Sequence, residues 1–177
     1  MARNFLSRAA INPVNFRATH EGVNVITQSI EIPAGYKVGA GDKFYFFNLG
    51  AEVVPLSVTL QSTDLDSDGT PTLTLDVGYE REVGADVLDF FIDGSTIGQT
   101  GGVIRVENGG DDPFADGAFA PLNEPITIVV SAATAAAAAA STAGKLTLTV
   151  EFVQATASPD ANTKPYDYGA DWLANNL

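Results

Sequence analysis

The chain contains no cysteine, one histidine, one methionine and one tryptophan. The missing cysteine excludes disulfides and thiolate metal sites, so stability has to come from packing and association. The single histidine, His20, sits in a segment with little sign of scaffold. A nucleophilic site with a histidine base would have to be built there, which the surroundings do not support. Basic residues are also scarce, at 9 against 22 acidic ones, giving a net charge of −13. A surface of that sign repels nucleic-acid phosphate and anionic lipid, so neither nucleic acid nor membrane is an expected partner. No GxSxG, HExxH or GxxxxGK[ST] pattern occurs, and nothing in the spacing of the carboxylates singles out a catalytic pair.

What the chain does have is a series of short β-branched runs separated by Gly, Pro and Asp. The stretch VNVITQSIEI (23–32) alternates apolar and polar residues, the period of a strand with one buried face. Pro33-Ala34-Gly35 ends it. Residues 43–48 follow, with Phe44, Tyr45, Phe46 and Phe47 in a row, so apolar side chains point to both faces of that strand. Further strands are expected at 53–61, 72–78, 86–92, 103–107, 126–133 and 145–154. The glycine-rich connection DGSTIGQTGG suits a wide hairpin. Eight strands at this spacing predict an all-β antiparallel sandwich, an eight-stranded jelly roll. The 45% apolar content is enough for one core at a length of 177 residues.

Three segments stand outside this pattern. Residues 1–22 read as an N-terminal arm, 23–155 as the sandwich and 156–177 as a C-terminal tail. The first 20 residues carry Arg3, Arg8 and Arg17 and no acid, whereas the remaining 157 carry six basic and 22 acidic residues. Such an arm could dock on an acidic partner or a neighbouring copy. The tail holds Tyr166, Tyr168 and the lone Trp172, aromatics that contribute strongly to contact energy and so are expected to pack. Residues 125–144 carry no charge, but their alanine-rich second half is too weakly hydrophobic for a membrane helix. A strand leading into a small-residue hairpin tip or short helical turn is the expectation there.

The clearest chemical signal is Asp64-Leu65-Asp66-Ser67-Asp68-Gly69. Alternate carboxylates before a glycine match the first half of a calcium loop. The closing position of an EF-hand falls on Leu75, however, and Asp76 is one residue late. Asp64, Asp66 and Asp68 are therefore candidate calcium ligands, against the alternative of an acidic turn, where Asp and Gly are common. A second group, Asp111, Asp112 and Asp116 around Phe114, reads as a solvated loop. No other cofactor is expected.

Three segments, DGTPTLTLDVGYE (68–80), VLDFFIDGSTIGQTGG (87–102) and EPITIVVSAATAAAAAASTAGKLTLTVEFVQA (124–155), taken in order, resemble the head decoration or cement proteins of tailed bacteriophages. The shared pattern is a turn-led strand ending in Asp-Val-Gly, a strand leading into an Asp-Gly loop, and a β-Ala/Thr-rich hairpin. It spans roughly residues 24–155. The resemblance implies a jelly-roll-like sandwich on the capsid exterior of the virion, assembled in the host cytoplasm, with the major capsid protein as partner. It also implies a homotrimer or homodimer and no catalytic residues. Arg3, Arg8, Arg17, Tyr166, Tyr168 and Trp172 would then be partner-binding anchors. The rival readings are a virion fibre or receptor-binding module gripping host carbohydrate, with Phe114 and Tyr79 as loop platforms, and a calcium-dependent sandwich or hydrolase.

Overall fold

The computed structural model describes residues 2–7, 15–16, 22–51, 53–107 and 124–154. The strands are β1 (Asn4–Leu6), β2 (Asn15–Phe16), β3 (Asn24–Ile32), β4 (Lys43–Leu49), β5 (Val53–Ser62), β6 (Thr74–Arg81), β7 (Val87–Ser95), β8 (Gly102–Glu107), β9 (Ile126–Thr134) and β10 (Gly144–Gln154). One helical turn, α1 (Ile97–Thr100), lies between β7 and β8. All eight expected strands are present, each within a few residues of its expected position.

The strands form two facing sheets. One has the order β3-β10-β5-β8; the other runs β1-β4-β9-β6-β7, with β2 also pairing to β4. Successive strands from β3 alternate between sheets except at β6–β7. That alternation divides β3 to β10 into two interlocked sets of four strands, the jelly-roll arrangement, with β1 and β2 added to one of the sheets. Register follows the alternation in sequence: Leu146, Leu148 and Val150 of β10 point inward opposite Ile30, Gln28 and Ile26 of β3. Along β10, Thr147 and Thr149 then face out.

Two expected hairpins are crossovers instead. The DGSTIGQTGG segment does not pair β7 with β8, because β7 lies against β6 and β8 against β5. One of its glycines serves packing: a Cβ on Gly98 would come within 2.7 Å of the Leu73 side chain, so α1 can sit directly on the core. The alanine-rich run likewise does not join paired strands, since β9 belongs to one sheet and β10 to the other. Its small side chains let the chain pass closely between two other loops, with Ala136 and Ala140 each 2% exposed.

Four crossing segments therefore close one end of the sandwich. Ala136 N donates to Val38 O at 2.9 Å, Gly35 N to Ala140 O at 3.0 Å and Leu65 N to Gly98 O at 2.8 Å. Val38, Leu65 and Leu73 plug this end and are fully buried.

The four aromatic residues of β4 are accommodated by a bulge. Phe44 is opposite Val130 and Phe47 opposite Ile128, with a register shift between Tyr45 and Phe47. An inserted residue reverses which side chains point inward. As a result Phe44, Phe46 and Phe47 are all completely buried, while Tyr45 points out. The outer edge of β4 is covered by β1 and β2, both parallel to it. No helix among the described residues is long and apolar enough to cross a membrane.

Candidate interaction surfaces

The Asp64–Gly69 loop lies in the closed end, with Asp66 buried against the chain and Asp64 and Asp68 exposed. Asp66 Oδ2 accepts the backbone N–H of Thr72, Leu73 and Ala137 at 2.8, 3.1 and 2.9 Å. Oδ1 accepts that of Ala138 at 2.8 Å. Burial alone would raise the Asp66 pKa, but these four charge-assisted bonds outweigh it and hold the carboxyl at about 2. Asp64 Oδ1 accepts Asp66 N at 2.9 Å, and Asp68 Oδ1 accepts Thr70 N at 2.9 Å, each the geometry of an Asx turn. Ser67 Oγ donates to Ala139 O and Thr72 Oγ1 to Ala135 O. The loop thus ties residues 135–139 to the start of β6. Among the described residues no group of three or more His, Cys, Asp or Glu is arranged to hold a metal ion.

A second aspartate fixes the N-terminal strand. Asp42 is 1% exposed and accepts Arg3 N at 2.6 Å, Gly39 N at 2.8 Å and the Tyr36 hydroxyl at 2.5 Å. Phe5 stacks on Phe44 with centroids 4.9 Å apart and meets Tyr36 edge-on at 5.0 Å. The Arg3 guanidinium lies over the Tyr36 ring at 5.3 Å. Burial and the bond to Asp42 push the Tyr36 pKa up to about 12. Arg3 is therefore held in place by its own domain. Arg8, Arg17, Tyr166, Tyr168 and Trp172 lie outside the described residues, as do His20, Asp111, Asp112, Phe114 and Asp116.

The two outer sheet faces differ in charge. On the β3-β10-β5-β8 sheet, register places Thr27, Thr149, Thr59 and Arg105 in one row and Ser29, Thr147, Gln61 and Val103 in the next. Thr27 and Thr149 hydroxyls are 2.9 Å apart, and those of Ser29 and Thr147 2.8 Å. The charges framing this patch largely offset one another, two basic groups against three carboxylates. Arg105 pairs with Glu107 at 2.7 Å and Glu151 at 2.9 Å, and Lys145 with Glu31 at 3.6 Å. Glu151 sits below the usual carboxylate range, chiefly through its bonds from Arg105.

The opposite sheet is acidic. Lys43 pairs with Glu80 at 2.6 Å and approaches Asp86 at 3.9 Å, and Arg81 pairs with Glu124 at 3.5 Å. Tyr45 donates to Glu80 at 3.0 Å, and burial together with that bond pushes the phenol up to about 12. Glu82, Asp89 and Asp93 are exposed and form no ion pair among the described residues. Asp76 is raised above the ordinary carboxylate value, first by burial and also by Asp93 and Asp89 nearby.

Tyr79, expected on a loop as a sugar platform, is 6% exposed within β6. It packs edge-on against Phe90 at 5.2 Å and Phe91 at 6.3 Å. Its strand ends in a hairpin to β7, and the apolar neighbours of that strand draw the ring into the core. The shallow hollow beside it, about 320 Å³ and lined by Asn48, Glu80, Arg81 and Thr127, holds no nucleophile–base pair.

Comparison with solved structures follows the fold. The chain matches a chain of the capsid of Ralstonia phage GP4 with a TM-score of 0.66 and 25% identity, over 86% of this chain and 99% of that one. It also matches a chain of the cyanophage Pam1 capsid asymmetric unit with a TM-score of 0.57 and 22% identity, over 78% and 92%. The fold is that of phage capsid chains. Nearly the whole of each phage chain is covered. No protein-family profile and no curated protein sequence matches the chain.

Proposed function

We propose that the chain is a capsid decoration or cement subunit of a tailed bacteriophage, bound as a homodimer or homotrimer to the major capsid protein on the outer surface of the head. It reaches the virion by assembly in the host cytoplasm. The observation that carries this reading is the likeness, over 86% of this chain and 99% of the other, to a chain of a phage capsid. Two features of the molecule support it. The sandwich is closed at one end by buried plugs and charge-assisted bonds, suiting a rigid surface block. The acidic sheet offers a solvent face of the sign that keeps particles apart.

A subunit that binds the assembled lattice and not the free capsid protein raises the lattice's stability by mass action. Arg3, Arg8 and Arg17 of the first 22 residues and Tyr166, Tyr168 and Trp172 of the last 22 are the proposed anchors. Arg3 is pre-positioned by Tyr36 and Asp42. The receptor-binding alternative loses one of its two aromatic platforms with the burial of Tyr79. Co-sedimentation of the purified chain with phage heads that lack it tests the proposal. Saturable binding at a fixed ratio per capsomer, with heads that resist heating better, is expected; no binding to mature heads contradicts it.

A further inference from the structure

The net charge of −13 creates a specific difficulty for association between identical copies. Like charges directly opposed across an interface cost several kcal/mol, so a self-contact must be made where the chain shows little net charge. The outer face of β3-β10-β5-β8 meets that condition. Its two basic groups, Arg105 and Lys145, are paired with three carboxylates within the face itself. Between them lies an uncharged patch of short side chains: Thr27, Ser29, Thr59, Gln61, Thr147 and Thr149. At the two edges of this face Val25 and Val103 are 61% and 60% exposed. Large apolar side chains exposed on both edges of an otherwise polar sheet face have no role in the core of their own domain.

We infer that this face packs against a second copy of the chain. Each hydroxyl pair across β3 and β10 uses one proton and one lone pair, so a further proton and further lone pairs remain to bond a facing polar surface directly or through water. Val25 and Val103 supply the apolar contacts. The acidic sheet is then turned away from its counterpart, where salt screens it. This inference stands on the charge distribution and does not rest on the capsid reading.

Light-scattering mass of the full chain tests it. The wild type is expected as a discrete oligomer whose association strengthens as salt rises and the Debye length falls from about 30 Å at 0.01 M toward about 3 Å at 1 M. Thr59→Lys and Thr149→Lys each place a bulky cation in the patch while making the net charge less negative. General repulsion therefore falls, and only contact at this face can explain dissociation. Each is expected to weaken association by about tenfold or more while the far-ultraviolet circular dichroism stays that of the folded wild type. Val83→Lys, with the same change of charge on the β6–β7 turn where Val83 is 77% exposed, is expected to leave the mass unchanged. A monomeric wild type, or Lys variants that keep the wild-type mass, overturns the inference. A monomer that binds heads only when Thr59 is intact overturns it too, by assigning the face to the capsid.

Discussion

Removing the Asp66 carboxylate should open the closed end of the sandwich. Four backbone amides, from Thr72, Leu73, Ala137 and Ala138, converge on its two oxygens at 2.8–3.1 Å, and the residue is 1% exposed. A buried amide without its acceptor costs about 1–3 kcal/mol. The four are not additive, because a loosened loop admits water, so we expect Asp66→Ala to cost about 3–5 kcal/mol. At about 2–4 °C per kcal/mol for a domain of this size, the melting temperature should fall by about 6–20 °C. Asp66→Asn keeps the shape but turns an NH₂ toward an amide donor, and should also destabilise. The effect carries a pH signature. The folded pKa of about 2 lies below the unfolded value of about 3.9. The stabilisation is therefore fully present above about pH 4 and is lost as pH falls through about 2. The gap between wild type and Asp66→Asn, followed by thermal unfolding, should narrow across that window. An Asp66→Ala protein melting within about 2 °C of wild type at neutral pH would refute the reasoning.

Other consequences can be checked separately. Calcium or chelator should leave the melting temperature unchanged, because Asp66 is already bonded to four amides; a calcium-dependent rise would return Asp64, Asp66 and Asp68 to the role of ligands. Gly78→Ala should cost about 3 kcal/mol or more by chemical denaturation, since its Cβ would stand 2.1 Å from the Val87 carbonyl oxygen and 2.4 Å from Leu88 C. Phe5→Ala should release β1 from β4, seen as faster hydrogen exchange at the Lys43 amide, which bonds Arg3 O at 2.8 Å. Tyr36 and Tyr45 should stay protonated after other tyrosines ionise, titrating near 12 in ultraviolet difference spectra. Their interactions stabilise the fold below about pH 10 and are lost as pH rises through 12.

The strands were legible because burial on one face of a sheet writes itself into the chain with period two. Thr27 to Ile32 and Leu146 to Val150 show that period almost without exception. Their connectivity was not. A glycine-rich link such as 93–102 reads the same whether the next strand pairs with the last or crosses to the other sheet, and only the packing of Gly98 on Leu73 decides. The alanine run has the same ambiguity: its small residues signal close passage but not what is passed. In the 64–69 loop the acid pattern was visible. Its use was not, because the amides of residues 72, 73, 137 and 138 come together only through the fold. Asp42 gave no sign at all, being one acid in a Gly-rich turn whose partner Arg3 lies 39 residues away. The β1 strand has only three residues, too few for a period to show. The low net charge of the β3-β10-β5-β8 face required the register that sets Arg105 beside Glu151.

Cryo-electron microscopy of the virion that carries this chain tests the central claim most directly. The account predicts jelly-roll density at regular lattice positions on the outer capsid surface, fitted by β3 to β10 and contacting the major capsid protein. Such density on the tail or inside the shell, or none on the head, would contradict it.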